Sequence, residues 1–245
     1  MTRIISIVNH KGGVGKTTSV ASLGVSLADL GRRVLLVDLD PQCNLTDSLS
    51  VPRSGRTIYD SLREGRDLPQ VEIRERLSVC PSSLDLVSTD LELSGVERRE
   101  YRLRDLLSPL GYDYILLDCP PSLGLLTINA LTASGEVFVP LTPEVLPAKG
   151  LGTLLDIIRR TREGLNPDLR LGGIIITRYQ RRKINRIVEE SLRETFGDLV
   201  FQTKIRDNVD ISEAPLQGKD IYSYSPRSIG ASDYRDLALE IDKKR

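Results

Sequence analysis

Five short stretches of the chain are apolar almost without interruption: Ile4-Ile5 with Ile7-Val8, RVLLVD over 33–38, YDYILLD over 112–118, EVFVPL over 136–141 and LGGIIIT over 171–177. Runs of this length, rich in β-branched residues and lacking polar alternation, read as strands buried on both faces of a parallel sheet. Between them the period changes. Over 17–30, Val20, Leu23, Leu27 and Leu30 share one helical face, and Gly31 follows as a stop. Residues 150–162 form a second amphipathic helix. Thr57 opens a short helix (TIYDSLRE), 77–80 is a short strand, and 84–93 and 101–110 read as helical. Strands alternating with helices predict parallel β-α units with right-handed crossovers. The expected fold class is therefore α/β: a three-layer, doubly wound, mainly parallel β-sheet flanked by helices, with LGGIIIT as its last long central strand.

A length of 245 residues is enough for one sizeable core, and the chain reads as a single domain over 1–245. Thirty-four basic and thirty-four acidic residues cancel, so any contact with a polyanion must come from a local patch. The three cysteines, Cys43, Cys80 and Cys119, lie far apart with no Cys-x-x-Cys, which fits reduced thiols in a cytosolic protein. One histidine and no tryptophan exclude a histidine-based metal site or triad. The first strand begins within a few residues of Met1, leaving no signal peptide, and no apolar run approaches the ~18 residues of a membrane span.

The densest chemistry lies in IISIVNHKGGVGKTT, 4–18: strand, glycine-rich turn, helix start. Gly12, Gly13 and Gly15 let successive N–H groups turn inward on an anion. Lys16 adds a point charge for terminal phosphates, and Thr17 offers a hydroxyl to Mg²⁺ at a helix N-terminus. The leading glycine of the usual phosphate loop is replaced by His10, with Lys11 beside it. The 33–38 strand ends in Asp38-Leu39-Asp40-Pro41-Gln42, and the 112–118 strand in Asp118. Aspartate before proline is a common turn, and an apolar strand ending in Asp is common too. Following a phosphate loop, however, both sit where open α/β sheets bind ligands.

KGGVGKTT resembles the deviant Walker A motif of the ParA/MinD superfamily, in which the extra lysine marks the group. VLLVDLDPQ is similar to that family's second motif, with Cys43 where glycine is usual. DCPPSLG followed by LLTINALTAS resembles the ParA/Soj partitioning branch, as do IRDNVDISEAP (205–215) and SPRSIGASDYRDLALEI. The resemblance covers nearly the whole chain and implies a P-loop NTPase that uses ATP and Mg²⁺. The nucleotide-binding residues it implies are Lys11, Gly12, Gly13, Val14, Gly15, Lys16, Thr17, Thr18 and, beside the adenine, Asn208. The same resemblance gives Thr17 and Asp118 to the metal, with Asp38 supporting its shell. Asp40 orients the attacking water. Lys11 reaches the other subunit's phosphates in an ATP-sandwich homodimer, and Gly12 is small so that the two loops can approach. Lys11, Lys16 and Asp40 are the catalytic candidates. In the family, 49–110 supplies part of the dimer and partner surface.

RYQRRKINR, 178–186, is the most basic stretch. On charge alone it is an ordinary solvated loop or a contact for a phosphate backbone. The resemblance points to nonspecific double-stranded DNA binding, with Arg182 as the positional match and Arg181, Lys183, Arg186 and Arg206 as companions, along with the basic tail Lys243-Lys244-Arg245. Gln180 stands at the family's aspartate, Arg206 at its proline and Asp207 at its arginine; Asp210 stands at a position that is basic in many relatives. The expected partner is a ParB-type centromere-binding protein that stimulates slow hydrolysis. The expected location is the cytoplasm, on the nucleoid. The match starts at Arg3, so the expectation is the short type without an N-terminal helix-turn-helix extension. A MinD-like membrane-associated ATPase is the alternative; it would need a C-terminal amphipathic helix with bulky apolar residues on one face and basic ones on the other, and YRDLALEIDKKR is too acidic for that and too short beyond the core helix. A nitrogenase-reductase-like electron carrier would need paired cluster cysteines, and Cys119 has no companion. A non-hydrolysing nucleotide-binding scaffold would not need the full set Lys11, Lys16, Thr17, Asp40 and Asp118.

Overall fold

A computed structural model describes residues 2–52, 55–144 and 148–244. Seven strands form one sheet: β1 (Arg3–Ile7), β2 (Val34–Asp38), β3 (Val71–Arg74), β4 (Leu77–Cys80), β5 (Tyr114–Asp118), β6 (Glu136–Leu141) and β7 (Arg170–Ile176). Their spatial order is β3-β4-β2-β5-β1-β6-β7, and every pairing is parallel except β3 with β4.

The helices are α1 (Lys16–Asp29), α2 (Asn44–Ser48), α3 (Ile58–Glu64), α4 (Thr89–Glu92), α5 (Arg102–Leu107), α6 (Leu125–Ala133), α7 (Ala148–Gly164), α8 (Lys183–Phe196), α9 (Val209–Glu213), α10 (Ile221–Tyr224) and α11 (Ile229–Lys243). Two apolar clusters make this a three-layer fold. On one face Ile5, Ile7, Leu36 and Leu116 pack with Val20, Leu23 and Leu27 of α1 and Tyr234 and Leu237 of α11. On the other, Leu35, Val37, Leu117 and Val139 pack with Leu62, Leu103, Ala130, Leu154 and Leu192. Neighbouring residues along β2 and β5 serve opposite layers because strand side chains alternate, which is why those strands are apolar throughout.

Some expectations are corrected. LGGIIIT is β7, and it lies at the sheet edge, not in its centre. It stays buried because the segment around Val200 covers the open edge: the Phe201 N–H donates to the Ile174 carbonyl at 3.0 Å, and that of Ile205 to Ile176 at 2.8 Å. Leu30 is 39% exposed instead of facing the core. Helix α1 ends at Asp29, and the left-handed Gly31 (φ 83°) turns the chain away two residues later. Strand β3 is an addition to the expected elements, and its sequence signal is weak: Val71 and Ile73 are only half-buried and alternate with exposed Glu72 and Arg74. Thr57 does open α3, through a capping box with Asp60.

Candidate functional site: a phosphate loop facing buried carboxylates

The loop between β1 and α1 begins at a polar anchor. Asn9 donates its amide to the Pro140 carbonyl at 2.8 Å and accepts the Lys11 N–H at 3.0 Å. Gly13 and Gly15 adopt left-handed φ values of 72° and 86°, a conformation that other residues enter at a cost. The Thr177 hydroxyl donates to the Val14 carbonyl at 2.9 Å and so ties the loop to the end of β7. Gly12 differs: its φ is not in the left-handed region, and a Cβ there would meet nothing within 4 Å. Among the described residues, nothing requires glycine at that position.

Lys16 is 8% exposed, and its ammonium donates to the Lys11 carbonyl at 3.1 Å. Burial lowers its pKa, against the opposing pull of Asp118 and Asp40. Asp38 and Asp118 are register partners at the ends of β2 and β5. Asp118 is fully buried, and among the described residues neither of its oxygens has a hydrogen-bond partner. Its pKa is pushed well above the usual carboxylate range, first by burial and then by Asp38; Thr17 and Lys16 pull it down. A buried carboxylate in this state is stabilised by a cation. The unsatisfied Asp118 oxygens beside Thr17 therefore fit a magnesium ion. Among the described residues no group of three His, Cys, Asp or Glu side chains could enclose a metal. That fits Mg²⁺, which takes few protein ligands and completes its shell with phosphate and water.

Asp38 has other duties. Its Oδ2 accepts the Thr46 hydroxyl at 2.7 Å and the Thr46 N–H at 2.9 Å, and its Oδ1 accepts the Asp40 N–H at 3.1 Å. Burial raises its pKa against these bonds. Asp40 accepts the Gln42 N–H at 3.0 Å on its carboxylate, and its carbonyl accepts the Ser82 hydroxyl at 2.7 Å. The Ser82 N–H in turn donates to the Thr46 hydroxyl at 3.0 Å. Thr46, Ser82, Asn9 and Thr177 are supports that motif reading missed, because each works through a partner distant in sequence.

A cavity of about 540 Å³ opens between the loop and α9, lined by Gly12, Gly13, Gly15, Lys16, Thr17, Thr18 and Asp40, and at its far end by Ile211, Pro215 and Leu216. That size suits a nucleotide. Asn208 stands at the N-cap of α9 without a side-chain capping bond and does not line the cavity; among the described residues its Oδ1 is buried without a partner.

The basic candidates lie apart from this cavity. Arg181, Arg182 and Lys183 are exposed at the start of α8 and have no ion-pair partner among the described residues; Arg186 lies 3.6 Å from Glu190. Arg206 is held at 2.5 Å by Asp233. Lys243 and Lys244 end α11, with Lys244 3.7 Å from Glu240, and Arg245 lies outside the described residues. Cys43, Cys80 and Cys119 are buried thiols that form no disulfide among the described residues. Burial pushes the Cys80 and Cys119 thiols up. No helix among the described residues is long and apolar enough to cross a membrane.

A doubly wound sheet with a phosphate loop after its first strand and aspartates at the ends of two neighbouring strands defines a P-loop nucleotide-binding protein. The model of a family described as an AAA domain matches residues 2–171. The sporulation initiation inhibitor protein Soj of Bacillus subtilis is 44% identical over 98% of both chains. Among solved structures, cobyrinic acid a,c-diamide synthase of Mycobacterium smegmatis with bound ADP and magnesium is 35% identical, at a TM-score of 0.86 over 99% of this chain and 95% of that one. The septum site-determining protein MinD of Pyrococcus horikoshii, complexed with Mg-ADP, is 30% identical at a TM-score of 0.82 over 100% and 97%. The chain belongs to the ParA/Soj family of chromosome-partitioning ATPases.

Proposed function

We propose that this protein is a Mg-ATP-dependent DNA-partitioning ATPase that dimerises around ATP, binds DNA nonspecifically and hydrolyses slowly until a ParB-type partner stimulates it. The observation that carries the reading is the unsatisfied, buried Asp118 carboxylate facing the buried Lys16 ammonium and Thr17 at the start of α1. Lys16 and the loop N–H groups hold the β- and γ-phosphates, and the α1 N-terminus favours their charge. Bound Mg²⁺, held by Thr17 and Asp118, would neutralise charge developing on the transferred phosphoryl group. Asp38 keeps the turn after β2 in place, and Asp40 orients the attacking water. Ile211 and Pro215 form the wall for the base, and Asn208, at the N-cap of the same helix, would contribute from outside the cavity lining.

Lys11 is suited to a second subunit. Its ammonium has no partner among the described residues, and the space over Gly12 is open for the approach of another loop. The unpaired Arg181, Arg182 and Lys183, with Arg186, supply the phosphate-backbone surface. Arg206 contributes less, because Asp233 already holds its guanidinium.

The test is binding to random-sequence duplex DNA without nucleotide, with ADP, with ATP and with a nonhydrolysable ATP analogue, at two salt concentrations. Binding only with ATP or the analogue, weakened by salt, is the expected result. No DNA binding in any state would leave an ATPase without the DNA role, and binding to anionic liposomes instead would favour the MinD-like alternative.

A further inference from the structure

The loop after β7 and the segment before α9 touch through two side chains. The Gln180 amide donates to Asp207 Oδ2 at 2.6 Å. Arg178 lies 3.7 Å from Asp207 Oδ1. The two backbones form a short parallel ladder: Tyr179 N–H to the Ile205 carbonyl at 2.9 Å, and Asp207 N–H to the Tyr179 carbonyl at 3.0 Å. Arg178 itself sits in a left-handed turn (φ 51°), so contacts on either side must hold this loop in place.

The path continues both ways. The Gln180 N–H donates to Asn185 Oδ1 at 2.8 Å, and the buried Asn185 amide donates to the Pro143 carbonyl at 2.9 Å. Asn185 lies in the first turn of α8, between Lys183 and Arg186. On the other side, Asp207 precedes Asn208, the N-cap of α9, and Ile211 of α9 lines the nucleotide cavity. Hydrogen bonds and backbone thus run from the wall of that cavity to the basic end of α8.

We propose that Asp207 is a positioning residue that couples the nucleotide cavity to the basic loop through Gln180 and Arg178. The proposal rests on the reading of that loop as a polyanion surface. A nucleotide that settles α9 against the cavity also settles Asp207, and through Gln180 the start of α8. The Asp207 carboxylate meanwhile competes with phosphate for Arg178. Coupling of this kind requires the two occupancies to share one element, and the 205–208 segment is that element.

The experiment compares wild type, Gln180→Ala and Asp207→Ala. Duplex DNA affinity is measured with and without a nonhydrolysable ATP analogue, and hydrogen exchange over 178–187 is followed in the same states. The expected result is that the analogue tightens DNA binding in wild type, and that both variants shrink this ratio by about fivefold or more with analogue affinity unchanged. The analogue should also slow exchange over the loop in wild type only. A Gln180→Ala protein that behaves as wild type overturns the proposal, since removing a neutral side chain leaves only the latch to account for an effect. Loop exchange indifferent to the analogue in wild type overturns it too. Wild type that binds no DNA in any state, yet shows the exchange response and loses it in Gln180→Ala, upholds the coupling and removes the DNA reading instead.

Discussion

The Lys16 ammonium donates to the backbone carbonyl of Lys11 at 3.1 Å, so one hydrogen bond crosses the mouth of the phosphate loop and links its two lysines. Their charged ends have separate fates. That of Lys16 is buried against Asp118 and Asp40, whereas that of Lys11 has no partner among the described residues.

Replacing the two lysines should therefore give different losses. Lys16→Ala removes the buried charge and is expected to weaken binding of a fluorescent ATP analogue by about 10- to 100-fold, the range for a charge-assisted hydrogen bond. Lys11→Ala should leave analogue affinity of the monomer close to wild type and abolish ATP-dependent dimerisation, read by light scattering. A Lys11→Ala protein that dimerises normally with ATP refutes the role in trans.

Thr46→Val tests the support beneath Asp38 and Asp40. It deletes the donor to Asp38 and leaves the buried Ser82 N–H without its acceptor. An orphaned buried donor costs about 1–3 kcal/mol, measurable by urea unfolding. The turnover number should fall more than nucleotide affinity does, and Thr46→Ser should restore both.

Arg3 and Glu136 form an ion pair at 2.6 Å with side chains only 12% and 8% exposed. Burial alone would raise the Glu136 pKa, but the hydrogen bond and charge of Arg3, helped by Arg170, overcome it and hold the carboxyl below the ordinary glutamate range. A depressed carboxylate stabilises the fold above its unfolded pKa and loses that contribution as pH falls through its folded value. Glu136→Gln is expected to cost about 3 kcal/mol at pH 7, because it leaves Arg3 buried without its countercharge. Urea midpoints of variant and wild type should converge as the pH is lowered below the ordinary glutamate value.

Gly24→Ala sets two effects against each other. Alanine favours a helix interior over glycine by about 1 kcal/mol. Here its Cβ would meet Leu36 Cδ2 at 2.6 Å and Cδ1 at 2.9 Å, in the packed layer between α1 and β2. Overpacking costs about 1–3 kcal/mol. The clash should win, and thermal unfolding should show a lower midpoint.

What was legible in the sequence follows a physical divide. The phosphate loop could be read because its conformation demands glycine, and Gly13 and Gly15 do adopt left-handed φ. Asp38 and Asp118 could be read because buried parallel strands announce their own ends. Edge position could not: β7 is as apolar as a central strand because the segment around Val200 and two helical layers cover it. Thr46, Ser82, Asn9 and Thr177 had no local signature. Thr177 reaches Val14 across 163 positions of chain, and Ser82 reaches Asp40 across 42. Small polar residues acquire such roles only when the fold brings the segments together.

The 205–208 segment is stiffened by charge. A proline would make it rigid covalently, indifferent to solvent; Arg206 is instead clamped by three hydrogen bonds from its guanidinium to the buried Asp233. The Arg206 side chain is 46% exposed, so ions in solution can screen the clamp. The rigidity of this segment is therefore a property of the surrounding electrolyte as well as of the chain.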